Sequence, residues 1–257
     1  MEFVEVPTPE GAFSLDRFRA AIDEHTRLVM MSTVNYSTGL RPPVDQIGPL
    51  LGERGVLFYV DATQSLGALR LNAREIQADM VAAHGYKWLL CPAGIGVAYI
   101  SPRVREWLAP SLLSWRSDRN WCSVDMLHHG PPDLPEEAYK YEGGIQNFPG
   151  IYAMGAVLQM MTDLGLDNIE TRLRQLSECG RDVLRGAGGK LPVDRLPFYD
   201  SPILAAQFPG TDVSRLAARL RENRVVVSAR HGYLRVSPHF FNDEEDLAKL
   251  GRMLQAG

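Results

Sequence analysis

The sequence predicts an α/β protein with a mostly parallel main sheet and a smaller carboxyl-terminal α/β unit. Four short apolar runs, each bounded by Gly, Pro or polar residues, have the length and composition of buried strands: 28–32, 56–60, 80–83 and 97–100. Segments with helical periodicity separate some of these runs, as expected where a crossover helix joins two parallel strands. The alternation is incomplete, so one antiparallel strand fits the same pattern.

The helices are predicted from capping residues and from the spacing of apolar side chains. Ser14 caps a first helix, in which Leu15, Phe18 and Ile22 share one face. The remaining elements, in chain order, are a strand over 2–6, helices over 44–54, 151–164 and from 167 or 168 to 186, a strand over 203–208, a helix over 213–224, strands over 225–228 and 233–236, and a helix over 243–254. This order predicts a large domain over 1–165 and a small domain over 166–257.

Composition excludes several classes of function. The net charge of −4 and the lack of a basic run argue against a nucleic-acid partner. No apolar segment is long enough to span a bilayer, and residues 1–5 do not resemble a signal peptide. The cysteines at 91, 122 and 179 are too far apart for a metal site, and Asp125 with His128 and His129 lacks further ligands at suitable spacing. We therefore expect a cytoplasmic protein without a metal ion.

Polar residues follow two of the predicted strands. Asp61 ends the second apolar run, and His84-Gly85-Tyr86-Lys87 ends the third. Ligands of such sheets bind outside the carboxyl ends of the strands, and a lysine there can form a Schiff base with a carbonyl. Pyridoxal phosphate requires a lysine on its aldehyde and an acidic partner on its ring nitrogen. Taken singly, however, an Asp after a strand is more often a turn or helix cap, and a lone Lys a solvated charge.

Two segments resemble a known family. VDATQSLG and HGYKWLLCPAGIGVAYIS are similar to the class V aminotransferase group of fold-type I pyridoxal-phosphate enzymes, which includes cysteine desulfurases, kynureninases and isopenicillin-N-epimerase-like proteins. The resemblance implies an aspartate aminotransferase-like fold, a homodimer and pyridoxal 5'-phosphate as cofactor. It implies that Lys87 forms a Schiff base with the cofactor and that Asp61 binds the nitrogen of the cofactor ring. It also implies further cofactor contacts from Gln64, His84 and Tyr86.

The same resemblance extends to two candidate substrate-binding residues. Arg235 matches the arginine of an Arg-x-Ser segment before Asn-x-x-Glu-Asp, which implies a grip on the α-carboxylate of an amino acid substrate. A guanidinium suits this role because it offers two parallel donors to a carboxylate. Asn35, in the turn after the first strand, is the candidate for a cofactor or carboxylate contact. The alternatives are a solvated charge at Arg235 and a turn-forming amide at Asn35.

The chain departs from the family pattern in several places. Ile145 replaces the hydroxyl residue that follows a glycine in relatives, and full-length relatives begin well before the position of Met1, so we expect an amino-terminal part with a phosphate loop to be missing. The loop 226–234 contains no cysteine, which disfavours a desulfurase, and Gln64 stands where kynureninases have His.

These departures leave three functional interpretations. The first is an aminotransferase or an isopenicillin-N-epimerase-like enzyme whose small-molecule substrate is an amino acid, with lyase chemistry as a further branch. The second is a truncated, non-catalytic homologue that serves as a dimerisation module. A plain nucleotide-binding domain is disfavoured because no G-x-G-x-x-G follows an early strand.

Overall fold

Helices and strands alternate along the chain as the predicted α/β class requires. The computed structural model describes residues 2–8, 12–123, 125, 130–192 and 200–256. The helices are α1 (Leu15–Ala20), α2 (Val44–Glu53), α3 (Pro102–Arg105), α4 (Phe148–Leu164), α5 (Leu166–Gly186), α6 (Val213–Glu222) and α7 (Glu244–Gln255). The strands are β1 (Leu28–Ser32), β2 (Leu57–Asp61), β3 (Met80–His84), β4 (Gly96–Ile100), β5 (Leu204–Ala206), β6 (Ser228–Arg230) and β7 (Tyr233–Val236).

The main sheet has the strand order β1-β2-β3-β4. The first three strands are parallel, and β4 runs antiparallel to β3. This confirms the mostly parallel sheet and identifies β4 as its antiparallel member. Ser32, Asp61 and Ala82 are neighbours across the ladder, so the carboxyl ends of β1, β2 and β3 meet at one edge of the sheet.

A hydrophobic core packs α1 and α2 against one face of the main sheet. Its most deeply buried side chains include Ile47 and Leu51 on α2 and Phe58 and Val60 on β2. The helix lies very close to the segment before β3, because a Cβ added at Gly48 would be 1.7 Å from the Ile76 carbonyl oxygen. Only glycine therefore allows α2 to reach this depth.

The carboxyl-terminal sheet is antiparallel and has the order β5-β7-β6. Helices α5, α6 and α7 supply Leu176, Leu184, Leu220 and Leu250 to its core, where they pack with Leu234 of β7. A third cluster joins the two sheets through side chains from both parts of the chain, among them Val34, Trp88, Met154, Leu173 and Ile203. The domain boundary predicted between residues 165 and 166 falls at Gly165, where α4 ends and α5 begins with φ +82; the division into domains stays a prediction.

Three expectations about the strands are wrong. Residues 2–6 form no strand, because alternation of side chains alone does not supply a neighbouring strand to pair with. The strand predicted at 225–228 is shifted to Ser228–Arg230, since the turn at His231 and Gly232 sets the register with Tyr233. Strands β1 and β4 are only partly buried, because they lie at the two edges of the sheet. No helix in the described ranges is long and apolar enough to cross a membrane.

Candidate active site

The candidate site begins at the edge where the parallel strands end. Thr33 donates its backbone N–H to the Asp61 carbonyl at 3.0 Å, and Ala62 donates to the Ala82 carbonyl at 2.8 Å. These bonds extend the ladder beyond the strands and hold the turn that follows Asp61. One carboxylate oxygen of the half-buried Asp61, Oδ1, accepts the Thr63 N–H at 2.9 Å. The turn hydrogen bond therefore fixes the carboxylate at the sheet edge without using its second oxygen.

Lys87 lies in a tight loop between β3 and β4. Gly85 donates its N–H to the Ile95 carbonyl and accepts the Cys91 N–H, each at 2.9 Å, so the loop is closed at its base. Leu90 donates to the Lys87 carbonyl at 3.0 Å and has a left-handed backbone with φ +52. These bonds present the half-buried Lys87 side chain from a backbone that is fixed on both sides.

Burial and two charges from different strands act on the Lys87 amine. Burial lowers the pKa of Lys87, the positive charge of Arg235 lowers it further, and the carboxylate of Asp61 raises it. The fold thus brings together Asp61 of β2, Lys87 of the loop and Arg235 of β7, which are widely separated in sequence. An amine with a lowered pKa is neutral over a wider pH range, as nucleophilic and proton-accepting lysines require.

Arg235 is a half-buried cation with unsatisfied donors. Its Nη1 donates to the Tyr36 carbonyl at 2.8 Å, but its buried Nε has no hydrogen-bond partner. Burial and the nearby charge of Arg230 lower the pKa of Arg235. No carboxylate in the described ranges forms an ion pair with this guanidinium. A buried donor without a partner is costly, so the site is suited to an anionic ligand.

The turn after β1 contains Asn35 and a residue that the sequence analysis missed. The Oδ1 atom of Asn35 accepts hydrogen bonds from both the backbone and the hydroxyl groups of Ser37 and Thr38, as in the turn-forming alternative. Tyr36 instead reaches the carboxyl-terminal sheet, where its hydroxyl lies 2.7 Å from His231 Nε2. The only sequence signal for Tyr36 and His231 is their proximity in the chain to Asn35 and Arg235.

The other predicted cofactor-binding residues lie in the turn after Asp61 and at the start of the lysine loop. Gln64 is half-buried in the turn after Asp61. The rings of His84 and Tyr86 lie 5.4 Å apart, and both residues are exposed, with Tyr86 at 49%. The Lys87 Nζ atom is 5.8 Å from the centre of the Tyr86 ring. These two rings thus form an open polar border beside the lysine.

Neither Cys91 nor a metal-binding cluster is found at this site among the described residues. Cys91 is buried, its thiol contacts the Leu89 carbonyl at 3.0 Å, and burial raises its pKa, so it behaves as a packed side chain. No cluster of three His, Cys, Asp or Glu residues capable of holding a metal ion occurs where side chains are described. His128 and His129 lie outside the described residues. Ile145, at the position of the expected hydroxyl, is 85% exposed.

The reactivity of Lys87 is expected to show its charge environment directly. The chain has three other lysines, and Lys190 is an exposed internal reference. In trace acetylation between pH 7 and 11, followed by mass spectrometry, Lys87 should reach half its maximal rate at a lower pH than Lys190. Asp61→Asn should lower this midpoint further, because the carboxylate favours the ammonium form, whereas Arg235→Gln should raise it. Equal midpoints for Lys87 and Lys190 would contradict the conclusion that the surroundings of Lys87 lower its pKa.

The fold and the family of the chain follow from comparison with known proteins. The two-sheet architecture is that of fold-type I pyridoxal-phosphate enzymes. The model for the family described as Aminotransferase class-V matches residues 3–250, so the chain belongs to the class-V aminotransferase family.

Individual relatives carry different activities. Isopenicillin N epimerase from Amycolatopsis lactamdurans is 31% identical over 245 residues, which are 92% of this chain and 61% of that protein. The apo cysteine desulfurase from Thermococcus onnurineus NA1 matches with a TM-score of 0.87 at 24% identity, over 99% of this chain and 65% of the desulfurase. A variant of C-DES with glycine covalently linked to its PLP cofactor gives a TM-score of 0.81 at 22% identity, covering 93% and 63%. The chain thus spans less than two thirds of each of these proteins.

Proposed function

We propose that the chain carries the lysine-containing part of a pyridoxal-phosphate site that acts on the amino group of an amino acid. The observation that carries this proposal is the position of the half-buried Lys87 between Asp61 and Arg235. Burial and the charge of Arg235 lower the pKa of Lys87, and the carboxylate of Asp61 raises it. The unpartnered Nε of Arg235 adds a second, anion-binding centre in the same electrostatic environment. Arg235 would bind the carboxylate of the amino acid, Asp61 the cationic ring of the cofactor, and Lys87 the carbon that joins the ring to the amino group.

The residues present fit the cofactor. Asp61 would hold the ring nitrogen through the carboxylate oxygen that the Thr63 N–H leaves available. Lys87 would hold the aldehyde end, and Gln64 lies in the turn beside Asp61. The exposed donors of His84 and Tyr86 suit the phosphate. The backbone N–H groups around Gly144 and Ile145 would take the place of the hydroxyl that Ile145 replaces, a contact that relatives make to the cofactor of the partner subunit. When bound, pyridoxal phosphate supplies an electron-withdrawing ring that weakens the bonds at the substrate α-carbon.

The protein side chains then divide the work of proton transfer and substrate orientation. Arg235 binds the α-carboxylate, because its planar fork offers parallel donors and no carboxylate among the described residues pairs with it. Lys87 accepts a proton from the α-carbon, for which an amine with a lowered pKa is suited. The negative charge of Asp61 would favour a positive charge on the ring nitrogen of the bound cofactor. Tyr36 and His231 border the carboxylate end across the two sheets.

The choice among reactions depends on the loop between β6 and β7. This turn consists of Arg230, His231, Gly232 and Tyr233, and it contains no cysteine to accept a sulfur atom. We therefore propose an aminotransferase or an isopenicillin-N-epimerase-like activity, with elimination as an alternative, rather than a desulfurase. We also propose a homodimer, because α4 and the edge strand β1 expose large apolar side chains, including Tyr152 at 79% and Met30 at 61%. A cytoplasmic location is proposed from the sequence alone.

A non-catalytic dimerisation module is the second candidate function. The same exposed apolar surfaces favour it, as does Ile145 in place of a phosphate-binding hydroxyl. The two candidates differ in whether Lys87 reacts with the cofactor.

The test is the visible absorbance of the purified chain with added pyridoxal phosphate. We expect a visible band that borohydride abolishes, and peptide mapping should then place the reduced adduct on Lys87. Lys87→Ala should show no such band, whereas Lys249→Ala, which removes a lysine on α7, should retain it. No band in the wild type, or an adduct confined to Lys140, Lys190 or Lys249, would contradict the proposed enzyme. Sedimentation of the same samples would then decide whether the dimerisation role remains.

A further inference from the structure

A buried histidine connects the carboxyl-terminal unit to the lysine loop. His239 follows Arg235 by four residues and is 8% exposed. Its Nε2 lies 3.3 Å from the carbonyl oxygen of Trp88, the residue directly after Lys87. Its ring also stacks on the Trp88 indole, with the ring centres 5.1 Å apart and the planes inclined by 30°. His239 therefore contacts both the backbone and the side chain next to the candidate catalytic lysine.

The hydrogen bonds define which nitrogen of His239 carries the proton. Phe240 donates its backbone N–H to Nδ1 at 2.9 Å, so Nδ1 is an acceptor and holds no hydrogen. The Nε2–H must then donate to the Trp88 carbonyl. Both nitrogens are thus used by a neutral ring, and burial lowers the pKa of His239, which favours the same state. Phe241 stacks on the ring at 4.7 Å with planes inclined by 9°, so the imidazole cannot readily rotate.

The Trp88 carbonyl also lies against the backbone of Gly67. A Cβ added at Gly67 would lie 2.6 Å from this oxygen, so only glycine allows the carbonyl to approach the turn after Asp61. The carbonyl oxygen therefore lies close both to Gly67 and to the Nε2–H of His239. The Trp88 carbonyl belongs to the peptide between Trp88 and Leu89, one residue beyond the peptide that follows Lys87, so fixing it limits the movement of the loop backbone that carries Lys87.

We propose that His239 is a positioning residue that orients Lys87 through the Trp88 carbonyl. One short segment then carries both the group that binds the substrate carboxylate, Arg235, and the group that fixes the lysine loop. Pro238 stiffens the segment between them. The role deepens the proposed function, since it matters for catalysis only if Lys87 is the reactive lysine. The contact itself is a property of the protein without any ligand.

Hydrogen exchange of the chain without cofactor tests the contact. In His239→Phe, which preserves an aromatic ring but removes the donor, amide exchange in peptides covering 85–91 should rise by about tenfold. His239→Gln, whose longer amide reaches the position of Nε2, should remain within about threefold of wild type. Phe241→Leu removes the stacking partner but not the hydrogen bond, and it is the matched control. Exchange in α6 should stay unchanged in all three variants, which would exclude a general loss of stability.

Acetylation of Lys87 provides the second readout. In His239→Phe, the pH midpoint of Lys87 labelling should move toward that of Lys190, because a loosened loop exposes the amine to water; His239→Gln should restore it. If His239→Phe fails to fold, His239→Asn, which is too short to reach Trp88, gives the same comparison. The proposal would be overturned if His239→Phe showed the same exchange and labelling as the wild-type protein. It would also be overturned if His239→Phe and His239→Gln showed equal defects. These measurements need no pyridoxal phosphate, so their failure is distinguishable from a missing visible band in the wild type.

Discussion

Arg235→Gln is expected to weaken binding of an amino acid substrate by about 100-fold, while binding of the corresponding amine without its carboxylate stays unchanged. The half-buried guanidinium donates to the Tyr36 carbonyl, and its buried Nε has no partner until an anion binds. Removing a buried partner of a charged group costs roughly 3 kcal/mol, which corresponds to about two orders of magnitude in affinity. The loss should therefore appear only with ligands that carry the carboxylate.

The measurement is a titration of the cofactor absorbance with the amino acid that gives the largest change in wild-type protein. Arg230→Gln is the matched control, because Arg230 is exposed and its side chain donates to the neighbouring Ala229 carbonyl at 2.9 Å rather than to another element. Its expected effect is smaller than threefold, as for an exposed charge. Equal losses in the two variants would indicate a general electrostatic effect rather than a carboxylate site. Equal losses for the amino acid and the amine would likewise contradict the role of Arg235.

Gly39→Ala is expected to destabilise the protein more than any other single-methyl addition in the turns around the site. Gly39 has φ +80, and a Cβ added to it would be 2.0 Å from the Ile203 carbonyl oxygen. Its own carbonyl accepts the Ser201 hydroxyl at 2.8 Å, so the turn after β1 is fastened to the segment before β5. A side chain there must displace backbone rather than a flexible neighbour. We expect Gly39→Ala to lower the free energy of unfolding by about 3 kcal/mol or more, because left-handed strain adds to overpacking.

Gly210→Ala separates the two contributions to this loss. Gly210 also has a positive φ, +74, but its added Cβ meets nothing within 4 Å. Gly210→Ala should therefore lower the free energy of unfolding by only about 1 kcal/mol, because only the left-handed backbone contributes. Urea unfolding of both variants gives the comparison. Similar losses would show that the approach of Gly39 to Ile203 contributes little to stability.

The predicted consequence of Gly39→Ala extends to the site. Tyr36 lies in the same turn and holds Arg235 through its carbonyl and His231 through its hydroxyl. Displacement of this turn removes a neighbour of Arg235, the proposed substrate-binding arginine, without changing any charged residue. Under conditions where Gly39→Ala remains folded, its affinity for the amino acid should fall while its visible band with pyridoxal phosphate persists.

The sequence by itself determined the parallel core of the main sheet and the candidates at its carboxyl edge. Strands of this kind are short apolar runs that end in polar residues, and such runs are visible in a single sequence because burial on both faces demands them. Asp61, His84 and Lys87 were found in this way, and the family resemblance assigned roles that remain proposals. Helix α7 was predicted almost to its ends, because Asp243 and Asp246 form a capping box that is local in sequence.

Only the tertiary structure decided which of these residues meet and what surrounds them. The Tyr36–His231 and Arg235–Tyr36 contacts join residues 195 and 199 positions apart, so no local pattern encodes them. The amide oxygen of Asn35 is used within its own turn, where four nearby donors compete with any ligand. Strands β1 and β4 were expected to be buried, but strand composition does not reveal which members of a sheet lie at its edges. The position of His239 against Trp88 likewise depends on how two separately patterned sheets pack around a shared core, since packing contacts between distant segments leave no periodic signal in the chain.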